Sequence, residues 1–192
     1  MRTRAGAYIV YSQLSLLVFM SLCIALHPGL VLKWNEAGLS NYGIHIKTIV
    51  PYTLALGLCA LFAMAAARSL RAMGGPATRM RNLLNVYGGL MLLLLLSTYG
   101  YTLNAGLKNA HIVLNIVTIL FEFGAALWMY STLPPSKAEA AWLGVLSVGL
   151  SLAVIDFFKL LHVLFTAQTF IGMGFGVLVV HAVRHCAGPG QR

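Results

Sequence analysis

The chain has 192 residues, of which 59% are hydrophobic and only 9% charged, with a mean hydropathy of +0.84. Soluble domains carry about 25% charged residues, so this chain has too little polar surface to face water all round. It reads as an all-α polytopic membrane protein forming a single domain over residues 1–192. The 13 Lys and Arg against 4 Asp and Glu leave a net charge of +9, a balance that elsewhere suggests nucleic acid. Here the basic residues sit at the edges of apolar segments, where they meet anionic headgroups, so the expected partners are membrane lipids and not nucleic acid.

The chain opens with M-R-T-R and an apolar run over 7–32. That run exceeds the about 7–15 residues of a signal-peptide core and lacks a small-x-small cleavage site, so a retained first membrane helix is expected. Crossing the hydrocarbon takes about 20 apolar residues. Six runs meet that need: 7–32, 44–67, 83–103, 111–133, 140–162 and 164–183. M-G-G-P at 73–76, N-A-G-L-K-N at 104–109 and P-P-S-K at 134–137 separate them, with only T-A-Q-T near the fifth-to-sixth boundary. The runs are continuous, not alternating, which excludes a closed barrel.

Lys and Arg counts in short loops predict orientation. Arg2 and Arg4 precede span one, Arg68, Arg71, Arg79 and Arg81 fill the 68–82 loop, and Arg184 and Arg192 follow span six. Lys33, Lys47 and Lys108 lie on the other side. Both termini are therefore expected in the cytoplasm of a cell whose short loops favour a bacterial inner membrane. The polar stretch W-N-E-A-G-L-S-N-Y-G-I-H at 34–45 then faces outward.

Cys23, Cys59 and Cys186 are far apart and show no C-x-x-C pattern, so neither a disulfide framework nor a thiolate metal site is indicated. Cys186, just past the last run, stands where acylation can occur, an inert thiol being the plainer reading.

Ionisable groups within spans are costly and mark functional candidates. Span four carries His111, Asn115, Thr118 and Glu122 at spacings of 4, 3 and 4, which at about 100° per residue form one stripe. A lone carboxylate at the depth of Glu122 is strongly disfavoured, so it is expected protonated or paired. Span two places His45, Thr48 and Tyr52 on one face. The D-F-F-K-L-L-H segment brings Asp156, Lys159 and His162 to the end of span five, where Asp156 and Lys159 can neutralise each other. His27, before Pro28 and Gly29, closes span one at the same level, which Glu36 also shares.

Glu36, Asn41, His45, Tyr52, His111, Asn115, Glu122, Asp156 and His162 are thus candidates for an outward pocket, with the 34–45 loop as its lid or rim. The plainer alternative is that these residues are interhelical hydrogen-bond partners. His181 and His185 share a face beside Arg184 and read as interfacial residues. G-M-G-F-G at 172–176 signals close helix packing, and no phosphate loop, because no strand precedes it. Trp34, Tyr99, Tyr101 and Trp142 suit an aromatic belt.

Three functions remain open. One is a binding or transport-accessory component with a polar pocket for a small molecule or lipid, alone or beside a partner membrane subunit. Membrane substrate-binding subunits of vitamin transporters are similar in size and helix count. A second is a zinc-dependent lipid hydrolase, with His27, His45, His111 and His162 as ligands and Glu36 or Asp156 acting on metal-bound water. It shares residue types with alkaline ceramidase-like hydrolases, but has six spans and no H-x-x-x-H on the outer side. The third is haem held by two His at equal depth.

In layout the chain resembles small six-helix membrane proteins of the Frag/DRAM type and related bacterial proteins. The features are E-A-G-L-S-N-Y-G before span two, K-N-A-H opening span four and F-G-V-L in span six. The resemblance implies an integral membrane role, in some members linked to lipid handling, and supplies no catalytic residues.

Overall fold

A computed structural model describes residues 2–33, 38–71, 74–133 and 136–187. Among these all the regular secondary structure is helical. The long helix α1 (Arg2–Leu26) is followed by the short α2 (Gly29–Lys33) and a 3-10 turn, Leu39–Gly43. Five long helices then follow: α3 (Ile49–Ser69), α4 (Pro76–Gly100), α5 (Ala105–Thr132), α6 (Lys137–Phe157) and α7 (Leu164–Ala187). All six long helices are long and apolar enough to cross a membrane.

Local chemistry sets where each helix begins and ends, and it shifts several expected boundaries. Pro28 disfavours helical geometry at His27, which ends α1. Pro76 opens α4 seven residues before the apolar run, since a first-turn proline lacks only an N–H that would be unpaired anyway. Asn104 accepts a hydrogen bond from the Leu107 amide at 2.9 Å, so α5 starts at Ala105 and not at His111. Ser136 and Glu139 form a capping box that begins α6 at Lys137. Span two, by contrast, starts late, at Ile49.

The end of α6 corrects a further expectation. The Asp156 carboxylate accepts the Val163 amide at 2.9 Å, and Lys159 takes a left-handed backbone with φ of 56°. The helix therefore stops at Phe157 instead of running to His162. Asp156 is engaged by the backbone, and the expected Asp156–Lys159 ion pair is absent among the described residues.

Within hydrocarbon, helices associate through close packing and polar contacts, because lipid tails are as apolar as the side chains. The interior of the bundle shows both. Ala55, Ala60, Ala63, Ala66 and Ala67 bury the inner face of α3, against which α1 places Ser12, donating to the Cys59 carbonyl at 2.8 Å. At the α6–α7 crossing, a Cβ on Gly149 would lie 2.8 Å from the Ile171 amide nitrogen, and one on Gly174 2.7 Å from Leu146 Cβ. The close contact that G-M-G-F-G implied is thus made by its central glycine. Gly172 faces open space, and Gly176 packs against Gln13 of α1.

Gly6 of α1 lies against the Arg184 side chain of α7, so the start of α1 and the end of α7 share one end of the bundle. Alternation of the six spans brings Arg68, Arg71, Arg79 and Arg81 to that same end. His181 and Glu139 pair side chain to side chain there, joining α7 to the first turn of α6. The 3-10 turn, His45, His111 and Asp156 lie at the far end. Large apolar side chains such as Leu17, Val18, Leu61, Leu93, Leu96 and Val117 are exposed on the outside of the bundle, as lipid-facing residues are.

Candidate functional site: an amphipathic cavity at the far end

The stripe on α5 faces inward: His111, Thr118 and Glu122 are buried and Asn115 is half-buried. His111 is the hub. Its Nδ1 lies 2.7 Å from Ser97 Oγ on α4, and its Nε2 lies 2.8 Å from both Ser40 Oγ and Asn115 Nδ2. Ser97 donates its own proton to the Leu94 carbonyl at 3.0 Å, leaving a lone pair for the imidazole. That pattern selects the neutral tautomer with the proton on Nδ1, while the single lone pair of Nε2 is shared between the amide of Asn115 and the hydroxyl of Ser40. Tyr101 packs edge-on against the ring, with centroids 5.3 Å apart.

The network reaches α7 and holds the turn. Gln168 accepts the Leu39 amide at 2.7 Å through Oε1 and places Nε2 3.5 Å from Asn115 Oδ1. Gly38, just before the turn, has φ of 64°, and a Cβ there would fall 2.6 Å from Gln168 Oε1, so both backbone and space require glycine. Thr48 donates to the Tyr42 carbonyl at 2.6 Å and closes the turn onto α3. Tyr42 lies in this turn, and its buried hydroxyl has no hydrogen-bond partner among the described residues. Burial pushes that phenol up to about 12.

Beside this network, between α5 and α6 and under the start of α7, opens a cavity of about 740 Å³. Ser40, His111, Asn115 and Gln168 form its polar wall, and Asp156, Lys159 and His162 its rim. Ile112, Ile116, Leu120, Leu150, Val154 and Phe157 make the rest apolar. A smaller chamber of about 110 Å³ adjoins it deeper in the bundle, sharing Ser40, Asn115, Ile119 and Gln168 and bordered by Tyr52, Tyr87, Thr118 and Glu122.

The expected site residues therefore separate. His111, Asn115, Asp156 and His162 line the larger cavity, and Tyr52 and Glu122 the smaller. Asn41 borders neither, its carbonyl accepting the Ile44 amide at 3.4 Å. His27 and His45 pack against each other with ring centroids 5.0 Å apart and planes tilted by 50°, away from both cavities. Glu36, Trp34 and the rest of 34–37 lie outside the described residues. Ser97, Gln168 and Tyr101 complete the site without having been expected in it, and Ser40 joins it from the 34–45 stretch expected at its rim.

This separation corrects the four-histidine metal site. Among the described residues no three His, Cys, Asp or Glu side chains come close enough to hold a metal ion. Both nitrogens of His111 are already engaged in hydrogen bonds, so neither offers a free lone pair to zinc or haem.

No known family model, curated protein or solved structure matches the chain. The likeness to Frag/DRAM-type proteins accordingly stands on the quoted sequence features alone.

Proposed function

We propose that the protein is a binding or transport-accessory component of the cell membrane, taking an amphiphilic small molecule or a lipid into the cavity between α5 and α6. The observation that carries this reading is the division of one 740 Å³ space into a hydrogen-bonding wall and a hydrocarbon wall. Binding sites of this kind are mostly apolar, with a few placed polar groups that orient the ligand. The apolar wall continues into the lipid-facing surface, because Ile112, Ile116, Leu120 and Val154 are all more than a third exposed. An amphiphile can therefore slide in from the bilayer and turn its polar part toward His111, Asn115 and Gln168.

The asymmetry of arginine favours an orientation with the arginine end in the cytoplasm and the cavity on the outer side. The short connections fit a bacterial inner membrane. Native mass spectrometry of the protein released from nanodiscs of its own membrane tests the reading. The wild type should carry an adduct of amphiphile mass, and Ile116→Trp, which fills the cavity without touching the hydrogen-bonded wall, should lose it. Equal adducts on both proteins, or none on the wild type, would refute the cavity as the binding site.

A further inference from the structure

The smaller chamber ends at Glu122, and no hydrogen bond or ion pair to this buried carboxyl occurs among the described residues. Several of the polar groups around it are directed elsewhere. Thr118 donates to the Leu114 carbonyl at 2.8 Å. Thr98 donates to the Leu94 carbonyl at 2.8 Å, so the Tyr52 hydroxyl, 3.1 Å away, donates to Thr98. Cys59 donates to the Tyr87 hydroxyl at 3.5 Å. Asn115 directs its amide to His111.

What the chamber presents is thus a carboxyl, a few neutral hydroxyl and amide groups and two tyrosine rings, and among the described residues no Lys, Arg or His lines it. Such a surface is complementary to a donor that carries positive charge, both through the carboxylate and through the ring faces. Its 110 Å³ exceeds the roughly 10–15 Å³ that a single water requires on the same measure. The partition from the outer cavity is slight, since the Asn115–Gln168 contact of 3.5 Å is longer than a well-formed hydrogen bond.

We propose that the inner chamber is the head site for a protonated primary amine, with Glu122 as its counter-charge and the alkyl part of the ligand lying in the outer cavity. The inference rests on the binding reading above and names its ligand class. A cation that enters this depth leaves no uncompensated charge in the bilayer, because it meets the one carboxyl placed there. Cys59, Tyr52 and Tyr87 are the other titratable groups around Glu122, and they come from α3 and α4.

Thermal-melting titrations of the nanodisc-embedded protein with n-hexylammonium, n-hexanol and hexanoate test this. Wild type should respond to hexylammonium at a concentration at least about tenfold below that for hexanol, and hexanoate should be the poorest of the three. Glu122→Gln should erase the amine preference and leave the hexanol response in place, while Glu122→Asp should keep part of the preference. An unchanged amine preference in Glu122→Gln, or equal responses of the wild type to all three compounds, would overturn the head site. A hexylammonium response that depends on Glu122 yet survives Ile116→Trp would instead remove the outer cavity as the place of the alkyl part.

Discussion

His111 ties three elements together through single atoms: Ser97 of α4 at Nδ1, and Ser40 of the turn and Asn115 of α5 at Nε2. Replacing it with Ala strands those partners in a buried setting, where an unmet polar group costs about 1–3 kcal/mol. His111→Ala should therefore lower the melting temperature of the purified protein and reduce the bound amphiphile. A melting curve and adduct level equal to wild type would show that the hub carries neither stability nor binding. The stripe itself was legible, because spacings of 4, 3 and 4 in an apolar run admit one face of a helix. Its partners were not legible. Ser40 and Ser97 are 71 and 14 residues away from His111, and only the packing of α4 and the turn against α5 brings them to the ring.

Helix crossings depend on small residues at particular registers, and the α6–α7 pair shows how specific that register is. Gly174 meets the Trp142 carbonyl and Leu146, while Gly172, two residues earlier, meets nothing within 4 Å. Gly174→Leu should force the two helices apart and destabilise the fold by about 1–3 kcal/mol or more, as overpacking does. Gly172→Leu, facing open space, should be tolerated. Melting curves of the two variants check this, and equal losses would contradict the crossing. From sequence, G-M-G-F-G announced a close approach without saying which glycine makes it, because the motif lacks the partner's position. Helix ends were read less well than helix existence. The apolar runs ignore caps, and Asn104, Pro76 and Ser136 extend their helices into polar residues.

At the scale of the molecule, six spans and their alternation followed from run length and from the short breaks between runs. Shared depth did not imply shared position. His27, His45, His111 and His162 belong to one end of the bundle, yet His27 and His45 pack against each other apart from the cavity that His111 and His162 line. Depth comes from register along a helix, whereas the order of helices around the bundle comes from tertiary packing that no single segment encodes. The proposed orientation is checked by cysteine labelling, since Cys23, Cys59 and Cys186 are all buried and give little background. Ile46→Cys, at an exposed site of the far end, should react with an impermeant maleimide on intact cells. Gly74→Cys, at the arginine end, should react only after permeabilisation. The reverse pattern would invert the topology.

An experimental structure in native-lipid nanodiscs, obtained by electron microscopy with a rigid binder attached to the arginine end, shows directly whether the cavity between α5 and α6 holds an amphiphile. Elongated density is expected between α5 and α6, its polar end against His111 and Asn115 and its remainder along Ile116 and Leu120. A cavity closed by its own side chains, with the α5 stripe packed dry against its neighbours, would contradict it.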